Sequence, residues 1–206
     1  MKKIALIAAL SAGLYSVNTL ADVTATATAT WTATATKDTT STLVVTPLDS
    51  ITFQYAEGMQ RFNTQNGAFD VTIQGQGGAT DFKLAAQVLS NTLTGSGAST
   101  LDVGVAWNGT ALSSTAATDL VNHGNNLTSG LASLVSNNAY ASADRTSAQG
   151  NFTFSIDSAT SDGSTTTTFA QLNDGFWSGD VKVQFTATWT VDESSSSESS
   201  SVQVGA

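Results

Sequence analysis

Chemistry in this chain would have to begin at His123 or at a carboxylate, because the 206 residues contain one histidine and no cysteine. Without thiols there is no thiol nucleophile, no cysteine-type zinc or iron–sulfur site and no disulfide framework. His123 stands in Asp119-Leu120-Val121-Asn122-His123-Gly124, a polar loop segment. A metal site or catalytic triad needs partners of types the chain hardly supplies, so it reads as a surface histidine. Asp157, Asp162 and Asp174 offer the paired carboxylates that glycoside hydrolysis requires, but they lie in Ser/Thr/Gly-rich connections, where acidic residues serve turns and solubility. Asp157 to Gly163 is rich in oxygen-bearing side chains, yet it lacks the spacing of an EF-hand calcium loop.

Trp31, Trp107, Trp177 and Trp189 are candidates for sugar-stacking platforms. Trp31, Trp107 and Trp189 fall on the apolar phase of predicted strands, which marks them as packing residues. Trp177 follows Gly175-Phe176 in a loop. Seven basic residues face sixteen acidic ones, a formal charge of −9, with no Lys/Arg cluster anywhere. That balance repels polyphosphate and excludes nucleic acid as a partner. With 11% charged and 40% hydrophobic residues, the composition is that of a folding chain, neither a charged disordered tail nor a multi-span membrane protein.

The elements that would carry these residues follow from the hydrophobic pattern. Met1-Lys2-Lys3, the apolar stretch Ile4 to Leu14 and the small residues Thr19 and Ala21 make residues 1–21 a secretory signal peptide, cut after Ala21. The apolar run is shorter than the roughly 20 residues that span a bilayer. The mature chain then begins at Asp22 and, having lost Lys2 and Lys3, sets five basic residues against sixteen acidic ones, a formal charge of −11.

It opens with the strongest strand signal in the sequence. Val23, Ala25, Ala27, Ala29, Trp31, Ala33 and Ala35 alternate with threonines at Thr24 through Thr36, giving one apolar and one hydroxyl face. At about 3.3 Å per residue this segment extends for roughly 46 Å. Alanine packs little surface in a sheet, so five alanines and a tryptophan on one face suit a narrow, backbone-lined groove better than a broad sheet. The segment is either the first strand of its own domain or a strand given to a neighbour, a mode in which main-chain hydrogen bonds hold and alternate side chains set register.

A hinge or turn over Lys37 to Thr42 leads to Leu43-Val44-Val45, closed by Pro47. Period-two bursts follow at Ile51, Phe53 and Tyr55; at Phe69, Val71 and Ile73; at Phe82, Leu84, Ala86 and Val88; at Leu101, Val103, Val105 and Trp107; and at Phe152, Phe154 and Ile156. Clusters at Asn66-Gly67, Gly75 to Gly78, Gly95 to Ser99 and Asn108-Gly109 separate them as turns. Ala111 to Ala143 is irregular and reads as a short helix or long loop. The last strand carries Val181, Val183, Phe185, Ala187, Trp189 and Val191 on one face, and the Ser/Glu-rich run over residues 192–206 reads as a solvated, disordered tail. These bursts predict an all-β antiparallel sandwich. A self-contained secreted adhesin or carbohydrate-binding module would fold Asp22 to Ala35 in cis, and a jelly-roll hydrolase would rest on Asp157, Asp162 and Asp174.

Particular strings add to the pattern: Asp22-Val23-Thr24-Ala25, Ala29-Thr30-Trp31, Lys37-Asp38-Thr39-Thr40-Ser41, Leu43-Val44-Val45-Thr46-Pro47-Leu48, Phe53-Gln54-Tyr55-Ala56-Glu57-Gly58, Phe152-Thr153-Phe154-Ser155-Ile156 and Trp177-Ser178-Gly179-Asp180-Val181. With these the chain resembles, from Asp22 to about Thr190, the major fimbrial subunits of the bacterial common pilus, the Ecp-type chaperone–usher pilins. The resemblance implies an incomplete immunoglobulin-like sandwich over residues 37–191, completed by the N-terminal donor strand, residues 22–36, of a neighbouring subunit. It implies a non-enzymatic structural subunit with no cofactor and no metal. Its partners would be other copies of itself head to tail, a periplasmic chaperone, an outer-membrane usher, a tip adhesin subunit and a host-cell surface, and the fimbrium would serve adhesion and biofilm formation. The residues matching the donor are Val23, Ala25, Ala27, Ala29, Trp31, Ala33 and Ala35, and the acceptor groove would be walled by Val181, Val183, Phe185, Ala187, Trp189 and Val191.

Overall fold

A computed structural model describes residues 37, 38, 40 and 42–191. The signal segment, the alternating Val23 to Ala35 arm with Trp31, and the Ser/Glu-rich run after Val191 lie outside the described residues. Within them the chain forms strands β1 (Leu43–Pro47), β2 (Tyr55–Ala56), β3 (Arg61–Phe62), β4 (Gln65–Gln74), β5 (Ala79–Ser90) and β6 (Thr92–Thr94). There follow β7 (Thr100–Trp107), β8 (Thr110–Ala111), β9 (Thr118–Asn122), the one-turn helix α1 (Asn137–Tyr140), β10 (Arg145–Thr160), β11 (Thr166–Thr167) and β12 (Lys182–Val191).

The strands build two antiparallel layers. One sheet has the order β1-β4-β10-β7-β6, with β11 paired to β10 and β8 to β7; the other has the order β12-β5-β9, and β2 and β3 form a small hairpin of their own. The alternation that predicted the strands is what packs the layers. Phe69, Val71 and Ile73 of β4, Val103, Val105 and Trp107 of β7, and Phe152, Phe154 and Ile156 of β10 face Phe82, Leu84, Ala86 and Val88 of β5 in one buried cluster. Each fully buried aliphatic or Phe side chain contributes about 1.5–3 kcal/mol. Stability rests on this packing and on backbone pairing, since the chain has no cysteine to make a disulfide.

Three expectations are corrected. Asn66-Gly67 is not a turn but lies inside β4, where Gly67 pairs with Phe152 of β10. A Cβ on Gly67 would meet Phe154 Cε2 at 2.6 Å and Ile51 Cδ1 at 3.4 Å, so the glycine is there to let two side chains close over the backbone. Ile51 and Phe53 belong to no strand. The chain leaves the sheet after Leu48, whose N–H donates to the Ala68 carbonyl, and the backbone of Gln54 is taken up by Asn63, through the side-chain Oδ1 at 2.8 Å and the main-chain N–H at 3.0 Å.

The irregular region from Ala111 to Ala143 contains α1 but also a true strand, β9. Its period is hidden because the ladder to β5 shifts register between Leu84 and Ala85, the two-against-one pairing of a bulge. Neighbouring Leu120 and Val121 are consequently both fully buried.

Candidate functional site

Four strands end the two sheets, β1 and β6 in the larger and β12 and β9 in the smaller, and two of them flank one opening. Among the described residues β1 pairs with β4 alone and β12 with β5 alone, so each presents one edge of unpaired N–H and C=O groups. Between these edges runs an open groove of about 1330 Å³, larger than the roughly 300–1,000 Å³ usual for small-molecule sites.

One wall is Val45 and Pro47 of β1 with Ile51 and Phe53 beyond them. The other is Val181, Val183 and Phe185 at the start of β12. Phe69, Phe152 and Phe154, from the middle of the large sheet, form the floor. At one end Phe185 reaches across to the floor, with ring centroids 5.2 Å from Phe69 and 5.8 Å from Phe152, and Phe69 stacks on Phe152 at 4.8 Å.

The opposite end opens into an aromatic rim. Phe62 meets Tyr55, Phe169 and Trp177 edge-on at 5.5, 5.6 and 6.2 Å. Trp177 is half-buried, and its Nε1 donates to Ser99 Oγ at 3.0 Å. Asp49, Glu57, Asp174 and Asp180 line this end too, and one cation, Lys182, stands 3.9 Å from Asp180. Apolar walls and unpaired backbone edges suit this groove to an extended chain segment, by β-strand addition, better than to a small polar molecule.

The proposed acceptor residues divide along β12. Val181, Val183 and Phe185 line the groove; Ala187 and Trp189 pack half-buried against the core, Trp189 with its ring 5.3 Å from Phe82; Val191 is 49% exposed at the strand's end. The donor residues lie outside the described residues. Sequence reasoning missed the opposite wall and the floor as parts of a site, although Val45, Pro47, Phe69, Phe152 and Phe154 had all been read as strand residues. Nothing in an inward-facing phenylalanine distinguishes a closed core from the base of an open slot.

The residues considered for catalysis are dispersed in role. Asp157 sits at the β-bulge between Ile156 and Ser158 of β10, against Gly104, and accepts from Ser155 Oγ at 2.6 Å. Asp162 closes the exposed turn after β10. It accepts the N–H groups of Thr165 and Ser164 at 2.7 and 3.0 Å and both their hydroxyls at 3.0 Å, which together hold its carboxyl well below the usual carboxylate range. Asp174 is exposed at the groove's rim.

His123 is half-buried rather than free on the surface. Its Nδ1 lies 3.1 Å from Asp81 Oδ1 and its Nε2 lies 3.2 Å from the Tyr140 hydroxyl, which donates to Asn137 Oδ1 at 2.8 Å. Asp81 Oδ1 also takes the N–H of Gly124 and of Phe82, each at 2.8 Å. The network ties β5 to α1 and to the loop after β9 as a staple. Trp107 is core, 5% exposed. Among the described residues no three His, Cys, Asp or Glu side chains gather as a metal site would require.

Residues 24–189 match the family described as Fimbrillin MatB. The chain is 52% identical over 173 residues to the common pilus major fimbrillin subunit EcpA of Klebsiella pneumoniae subsp. pneumoniae, covering 82% of this chain and 88% of the relative. It is 50% identical, with the same coverage, to the protein of that name from Escherichia coli. Among solved structures, the CooA pilin subunit from enterotoxigenic Escherichia coli aligns with 71% of this chain and 88% of its own at 14% identity and a TM-score of 0.48.

Proposed function

The chain belongs to the MatB fimbrillin family, and we propose that it is the major structural subunit of a surface pilus whose copies are joined by strand donation. The observation that carries this reading is the apolar groove between the open edges of β1 and β12. In the proposed assembly residues 22–36 of one copy enter the groove of the next. Val23, Ala25, Ala27, Ala29, Trp31, Ala33 and Ala35 face the phenylalanine floor, while the donor's backbone pairs with the strands on either side. Each backbone hydrogen bond adds about 0.5–1.5 kcal/mol net, so a ladder along two edges makes dissociation very slow. Since every copy gives one strand and receives another, the contact is heterologous, and it grows a filament when the rotation between copies does not close into a ring.

The same physics demands help before assembly. An unpaired edge beside an apolar slot is a template for aggregation, so the exported chain would be covered in the periplasm by a chaperone, handed to an outer-membrane usher and added behind a tip adhesin subunit. The folded domain, residues 37–191, then forms the shaft at the cell surface, where it supports adhesion and biofilm formation as a structural element and not as an enzyme.

The test is a charged donor. Ala29→Arg puts a guanidinium on the apolar face of the arm, and the expected result is normal export with no filaments by electron microscopy and no high-mass ladder in unheated gels. Filaments of normal length and heat resistance from this variant would refute the assignment of Ala29 to the groove.

A further inference from the structure

We infer that the aromatic rim of the groove is a second subunit contact, covered in the filament by the folded body of the same copy that donates the strand. The inference rests on the strand-donation reading above and adds to it a surface which that reading does not require.

The rim is more apolar and more exposed than a free surface should be. Phe176, in the loop that precedes β12, is 82% exposed and Tyr55, on β2, 39%, both lining the groove, and Met59, in the hairpin turn beside the groove-lining Glu57 and Gln60, is 66% exposed. These segments are held in place. The hairpin is pinned by Gln54 and Asn63, the loop by Trp177 on Ser99 and by paired bonds of 2.9 and 3.1 Å between Thr94 and Ser178. Organised apolar patches on soluble domains mark interaction sites.

The occupant follows from the donor's own sequence. β1 runs towards the rim and β12 away from it, so a strand between them is antiparallel to one and parallel to the other. At the inner end Phe185 already touches the floor, leaving room for small side chains, whereas the outer end is lined by Phe62, Phe169 and Trp177. The arm places Val23, Ala25, Ala27 and Ala29 first and its one large residue, Trp31, in the second half. The alanines therefore fit the inner end and Trp31 the outer, which makes the donor antiparallel to β12 and brings its C-terminal end out at the rim.

Lys37, the first charge after the uncharged run from Val23 to Thr36, then emerges beside Asp49, Glu57 and Asp174. Only Lys37 to Thr42 separate the arm from the donor's β1 at Leu43, a reach of about 20 Å at full extension. The donor's body is thus tethered against the rim.

The absence of cysteine makes the test direct. A Phe176→Cys chain is reacted with a maleimide in two states: in filaments, co-assembled as a minority with the unmodified chain so that assembly is unaffected, and as the whole chain kept monomeric by an excess of a synthetic peptide of residues 22–36, which fills the groove but brings no body. The expected result is at least tenfold slower labelling in filaments than in the peptide-filled monomer, repeated with Met59→Cys. Equal rates in the two states would overturn the inference while leaving strand donation intact. A chain lacking residues 22–36 that still forms filaments would instead bring down the strand-donation reading itself.

Discussion

Replacing Gly67 by alanine adds one methyl group at the place where the groove is most tightly built. Gly67 is buried in β4, with the Phe154 ring edge 2.6 Å and Ile51 Cδ1 3.4 Å from where that methyl would stand. Its backbone is extended, so alanine is admissible there and even favoured by about 0.5–1 kcal/mol on entropic grounds. The overlap with Phe154 has the opposite sign. Phe154 is 6% exposed and packs edge-on against Phe152 at 6.2 Å, so its ring can yield only outward, into the groove. Overpacking of this kind costs about 1–3 kcal/mol, which leaves a net destabilisation of about 1–2 kcal/mol and a floor raised towards the donor.

The expected outcome is a filament that dissociates at a lower temperature, followed as the loss of the high-mass ladder when samples are heated through a series of temperatures. In the double variant Gly67→Ala/Phe154→Leu the smaller side chain removes the overlap, so the two changes should be less damaging together than their sum by about 1 kcal/mol, a coupling of the size contacting residues show. A Gly67→Ala filament as heat-resistant as the parent, or strictly additive effects in the double variant, would refute the account of why glycine stands at this position.

Tyr140→Phe deletes a hydroxyl that bonds Asn137 and His123 inside a residue only 2% exposed; it should cost about 1–2 kcal/mol of subunit stability, read by urea denaturation of the peptide-filled monomer, and an unchanged midpoint would mean the staple does not hold. The turn closed by Asp162 should resist acid. Its carboxyl is depressed in the folded state, so its stabilising effect is present above the unfolded value of about 3.9 and is lost only as pH falls through the lower folded value. Its carboxyl carbon resonance should stay flat where ordinary carboxylates titrate, and an inflection near the unfolded value would contradict the hydrogen bonds assigned to it. Phe185→Ala, which removes the ring bridging the small sheet to Phe69 and Phe152, should lower subunit stability by about 2–4 kcal/mol; a loss under about 1 kcal/mol in the same denaturation would show that the bridge does not hold the layers at that end.

How much of this could be read in advance depended on whether the cause was local. The strands carrying Phe69 to Ile73, Phe82 to Val88, Leu101 to Trp107 and Val183 to Trp189 announce themselves because a half-buried strand must alternate its side chains residue by residue. That period survives in any one-dimensional reading. Where a bulge shifts the ladder, as beside Leu120 and Val121, the period breaks and the strand disappears from view although both residues are fully buried. Asn66-Gly67 has the composition of a turn, and only the approach of Phe154 and Ile51 explains a glycine within a strand. His123 shows no sequence neighbour that would announce Asp81 or Tyr140 as its partners, since these arrive from β5 and α1.

The amino-acid order was therefore enough to establish an all-β, thiol-free, acidic sandwich whose strands each have one apolar face, because burial on one side of a pleated strand is written in its own alternation. Which strands would end up with an unused edge was not. An edge is open or closed according to what lies beside it, and the groove exists because β1 and β12, with 134 residues of chain between them, finish as the outermost members of two different sheets on the same side of the sandwich.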